Sequence, residues 1–74
     1  EISVLEKEWL EAVSIACEEM DALKAAELLR ETQEKRFEPD AERFLEQIRG
    51  YVNQYDYDEV VALVQERLAK EERA

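Results

Sequence analysis

The chain contains no histidine. That absence removes the usual general base, the commonest protein metal ligand and any histidine phosphoacceptor. Glycine, proline and cysteine occur once each, as Gly50, Pro39 and Cys17. So few turn-forming residues leave little room for a protein built on sheets and tight turns, and a lone cysteine cannot form an internal disulfide. Cations are scarce, with ten Lys and Arg against twenty Asp and Glu, for a formal net charge of -10. Nucleic-acid affinity rests on cations that displace counterions from phosphates, so this balance excludes nucleic acid as the expected partner. It opposes an anionic membrane surface for the same reason. No apolar run approaches the roughly 20 residues of a membrane span, which argues against membrane insertion. No signal peptide is visible, and cytoplasmic residence is the expectation.

What is abundant points one way. Charged residues make up 41% of the 74 positions and apolar residues 46%, with Glu, Ala, Leu, Lys, Arg and Gln, all good helix formers, recurring throughout. The apolar fraction is too high for simple disorder. An all-α fold in one small domain follows, near the size at which only about 60% of the unfolded chain's surface can be buried.

The stretch Tyr55-Asp56-Tyr57-Asp58-Glu59-Val60-Val61 reads as a complete helix start. Asp56 is placed to cap a helix beginning at Tyr57, Glu59 to reach back to the Asp56 N–H, and Tyr55 and Val60 to close a hydrophobic staple. Thirty-five positions earlier the pattern recurs. Trp9-Leu10-Glu11-Ala12-Val13 falls on Phe44-Leu45-Glu46-Gln47-Ile48, Met20-Asp21-Ala22 on Tyr55-Asp56-Tyr57, and Ala25-Ala26 on Val60-Val61. The reading is two repeated helix-turn-helix hairpins of four antiparallel helices, hairpin one over about 3–36, a connector at 36–40 and hairpin two over about 39–73. A unit that cannot bury its apolar stripe alone is expected to stack on its neighbour.

Ser3-Val4-Leu5-Glu6 has the form of a Ser-x-x-Glu capping box, so Ser3 and Glu6 are expected to open the first helix. Leu5, Trp9, Val13, Ala16 and Met20 then form its buried stripe, with Ser14 on the opposite side. Leu10 and Ile15 fall off that stripe, and either widen the buried sector or form a second contact surface. Asp21 caps the second helix, with Ala22, Ala25, Ala26, Leu29 and Gln33 along its inner side. Pro39 suits the first position of the third helix, which carries Phe44, Leu45, Ile48, Tyr51 and Tyr55 inward. Gly50 there implies close approach of a neighbouring helix. Val60 and Val64 face the core from the fourth helix.

Little in the chain carries chemistry. Asp56 and Asp58 have the look of a calcium loop, but Val60 and Ala62 stand where later ligands belong, and a helix cap is the better reading. Glu18-Glu19 and Glu71-Glu72 are read as solvated faces and Cys17 as a small core residue. Leu10, Ile15, Tyr51 and Tyr57 make the candidate interaction surface, although core packing with hydroxyls reaching outward is the better reading of the tyrosines. No catalytic residue, cofactor or metal ligand is expected.

The segment Tyr55 to Val64, following the Phe44 to Gln54 helix, resembles the helical segment near the carboxyl end of bacterial hybrid sensor histidine kinases, where an aromatic-Asp-aromatic-Asp/Glu turn leads into a final amphipathic helix. Trp9 to Met20, the Asp21 turn and Arg36-Phe37-Glu38-Pro39 fit the same pattern. The resemblance implies a degenerate, histidine-phosphotransfer-like module of a two-component phosphorelay protein, without a phosphoacceptor and itself part of a membrane-anchored sensor in some settings. Its implied partner is a receiver or kinase domain of the same or a cognate protein, with a homodimer left open. The chain is also similar to tetratricopeptide repeats, whose thirty-four-residue helix pairs are near the offset seen here. Trp9, Phe44, Tyr51, Tyr57 and Ala25 suit that pattern, while Val60 and the missing Leu-Gly pair depart from it. This second resemblance implies a module that binds a helix or peptide.

Overall fold

The apolar periodicity resolves into four helices in the computed structural model, which describes residues 1–73. They are α1 (Lys7–Glu18), α2 (Ala22–Gln33), α3 (Pro39–Asn53) and α4 (Tyr57–Arg73). The fold is all-α. Within each hairpin the helices run antiparallel, and the hairpins close on each other because α1 packs on α4 and α2 on α3. The Ser14 hydroxyl of α1 accepts a hydrogen bond from Gln65 Nε2 of α4 at 3.0 Å, although 51 positions separate the two residues. Among the described residues no helix is long and apolar enough to cross a membrane.

The core forms where the two copies meet. Val13, Phe44, Ile48, Val60 and Val64 are buried as their spacing requires. Equivalent positions match closely: Leu10 and Leu45 are each 0% exposed, and Val13 and Ile48 are buried together. Leu10 therefore belongs to the core and not to a contact surface. Trp9 is only half-buried against this cluster, and its indole Nε1–H donates to the Leu28 carbonyl at 2.9 Å. The α2 interior is turned from the expected one, with Ala25, Leu28, Leu29 and Thr32 buried and Ala22, Ala26 and Gln33 exposed. Thr32 belongs inside because its hydroxyl donates to the Leu29 carbonyl at 2.6 Å and accepts from Arg49 Nη2 at 3.2 Å, which satisfies a group that is otherwise costly to bury. Ser14, expected outside, is buried on the same terms through Gln65.

The first helix starts at Lys7, three residues later than its capping box implies. Ser3 and Glu6 do not form that box. The Ser3 N–H donates instead to the Arg36 carbonyl at 2.6 Å, and Ser3 pairs with Phe37 in an isolated parallel bridge. An extended strap before α1 thus lies against the connector, where Leu5 and Phe37 are both buried. Burying those two side chains outweighs a cap worth about 1 kcal/mol. Glu6 stands at the N-cap with no side-chain cap bond. Pro39 takes the first position of α3 as expected. Gly50 has no close neighbour, since nothing lies within 4 Å of where a Cβ would stand.

Candidate functional site

Both hairpins turn in the same way. At the end of α1 the Met20 N–H donates to the Cys17 carbonyl at 3.1 Å and the Asp21 N–H to the Ala16 carbonyl at 2.8 Å. At the end of α3 the Tyr55 N–H donates to Val52 at 3.0 Å and the Asp56 N–H to Tyr51 at 2.8 Å. This paired 5→2 and 6→1 pattern is a Schellman motif, which requires its C′ residue to be left-handed. Met20 has φ 56° and Tyr55 φ 59°, among the described residues the only non-glycine positions with positive φ. Glycine normally occupies such a site because a Cβ is crowded there.

That geometry explains why two residues expected on the inner stripes point outward. Reversing the backbone at C′ takes the side chain off the helical face, so Met20 is 73% and Tyr55 74% exposed. Leu23, in the first turn of α2, is 82% exposed, and Ile15, one turn back in α1, 54%. The Tyr55 ring stands edge-on to Tyr57, with centroids 6.3 Å apart and planes at 84°. A shallow hollow between the turns is floored by Cys17, Tyr57 and Val61 and rimmed by Glu18, Asp56 and Asp58.

The candidate surface read from the sequence is redistributed. Ile15 is exposed, Tyr51 is half-buried, and Leu10 and Tyr57 are core residues. Tyr57 turns inward as the first residue of α4. Of the two cap assignments, Asp21 holds, with its Oδ1 accepting from the Lys24 N–H at 3.1 Å. Asp56 precedes α4 as expected, and its carbonyl accepts from the Val60 N–H at 3.4 Å. The reciprocal bond from Glu59 does not form, because the Tyr51 carbonyl already takes the Asp56 N–H. Sequence reasoning missed Met20 and Tyr55 as surface residues, though their alignment across the repeat was the available signal.

Reactive groups are committed to structure. Cys17 is buried and free, and loss of hydration pushes its thiol pKa up, away from the thiolate that nucleophilic chemistry needs. Among the described residues, no group of three or more Cys, Asp or Glu side chains is placed to hold a metal. A second groove, between α3 and α4, carries the Arg67 guanidinium 4.8 Å above the Phe44 ring, and Asp40 lies 3.8 Å from the same arginine. Lys70 and Glu66 pair there at 4.0 Å. Its charges are balanced, and its ion pairs are exposed enough to contribute little. None of the protein-family models, curated proteins or solved structures compared with the chain matches it.

Proposed function

We propose that the chain is a noncatalytic helical docking module of a two-component phosphorelay protein, which packs beside or docks onto a receiver or kinase domain of the same or a cognate protein. The observation that carries the docking function is the turn face, where Met20, Leu23 and Tyr55 present large apolar side chains to solvent. Exposed apolar clusters rimmed by polar groups mark interaction surfaces. The absence of histidine and the buried, protonated Cys17 weigh against catalysis. The phosphorelay setting rests on the resemblance of Tyr55 to Val64 and its preceding helix to hybrid kinase segments.

A tetratricopeptide-like peptide binder is the second reading, favoured by the repeated turn. Against it, α1 packs on α4 and α2 on α3, so the two hairpins consume each other's apolar faces. An extended array needs a face left for the next unit. The test is amide NMR of the labelled domain titrated with the receiver domain of its parent protein, without and then with a phosphoryl mimic. Docking is expected to shift residues 15–23 and 54–61, more in one receiver state. A folded spectrum unmoved by either state overturns receiver docking.

A further inference from the structure

The charges around the turn face are predominantly negative. Glu18, Glu19, Asp21, Asp56, Asp58 and Glu59 lie in or beside the two turns, against Lys24, which holds the place in α2 that Glu59 holds in α4. Helix termini explain part of this. Asp21 caps α2, and Asp58 and Glu59 sit in the first turn of α4, where negative charge is favourable. Glu18 and Glu19 are different, because they end α1, where the helix dipole is already negative and a carboxylate is destabilising. Helix stability does not account for them. The same turns hold Met20 and Tyr55 in a backbone conformation that glycine would adopt with less strain.

Apolar anchors inside an acidic rim define the occupant. A second copy of this chain would bring the same acids face to face, and an anionic lipid surface would be repelled likewise. We propose that the turn face docks a cationic amphipathic helix of a partner protein, its apolar side chains meeting Met20, Leu23 and Tyr55 and its Lys or Arg residues meeting Glu18, Glu19 and Asp58. The proposal rests on the docking reading above and adds the chemistry of the partner. Helix-in-groove recognition of this kind uses apolar contacts for affinity and charge for steering and selectivity.

The test uses two synthetic amphipathic peptides with identical Leu positions, one carrying Lys and Arg on its polar face and the other Glu. NMR titration should move residues 15–23 and 54–61 with the basic peptide alone. Affinity should fall about tenfold between low salt and a few hundred millimolar, as screening of exposed charges requires. The double variant Met20→Gly with Tyr55→Gly keeps the net charge and relieves both left-handed residues, and should weaken binding by about tenfold or more. Leu23→Gln, on an exposed helical position, gives the same direction without touching a turn. Glu18→Gln with Glu19→Gln should lower affinity several-fold. Equal binding of both peptides, shifts centred on the α3–α4 groove, or full affinity in the Met20/Tyr55 double variant each overturns the proposal. A receiver domain that binds the parent protein and the Glu18/Glu19 variant equally would sink the cationic partner while leaving the docking module intact. A receiver and both peptides that all leave the spectrum unmoved would remove both.

Discussion

The two hairpins share a turn but not an interior. Each ends its first helix with the same pair of backbone bonds and the same left-handed residue, Met20 in one and Tyr55 in the other. Past the turn they diverge. Ala22 is exposed whereas its counterpart Tyr57 is buried, and small Ala25 occupies the place that Val60 fills in the second copy. The backbone geometry of the turn thus tolerates different side chains, while the core is fitted residue by residue to its partner hairpin. Repetition set the connection, and packing set the contents.

The strongest test of that equivalence compares Leu10→Ala with Leu45→Ala. Both side chains are fully buried, so each truncation is expected to cost about 2–5 kcal/mol in denaturant melts. A loss of a few tenths for Leu10→Ala alone would break the correspondence between the copies. Next, Asp21→Ala should cost about 1 kcal/mol because it removes the bond to the Lys24 N–H, and Asp56→Ala should cost less, its described bonds being backbone ones. Equal losses would mean that the second copy relies on the same side-chain cap.

Gly50 and its counterpart Ile15 both face solvent. Gly50→Ala should raise stability by up to about 1 kcal/mol, since nothing stands where the new methyl would go. A melting temperature lowered by this change would reveal a crowded helix face. Met20→Gly should also stabilise, by roughly 1 kcal/mol or less after the unfolded chain's added freedom is counted. Tyr55→Gly should gain less, because it loses the edge-on contact with Tyr57.

The smallest effect is alkaline. Burial raises the Cys17 pKa, so the folded state binds its proton more tightly than the unfolded state. The contribution is fully present below the unfolded thiol's pKa and is lost as pH rises through the folded value. Val52 holds the equivalent place in the second copy and does not titrate. Melts of the parent and Cys17→Val should therefore converge in slope at neutral pH and part above the ordinary thiol range.

Helix number, the connector and the repeat were legible because each depends on local pattern: Pro39 at a helix start, Asp21 at a cap, apolar residues at helical spacing. What was not legible depends on distant partners. Ser3 and Glu6 satisfy a local rule that loses to the pairing of Ser3 with Phe37. Ser14 and Thr32 look like surface residues until Gln65 and Arg49 arrive to bond them. Met20 and Tyr55 follow the apolar spacing of their helices, but that spacing stops applying once the backbone becomes left-handed. The exposure of Met20 and Tyr55 was not legible for the same reason, each standing two residues past the last residue of its helix, Glu18 or Asn53.

The packing of α1 on α4 also governs how the chain comes into being. Within these four helices the first made finds its main partner only in the fourth, so the first hairpin alone leaves a contact face of α1 uncovered. Contacts this far apart in sequence require the long loop to close before any of them repays the entropy. Until α4 is made, α1 lacks the helix it packs on most extensively. Completion of this core therefore waits on α4, the last of its four helices to be made.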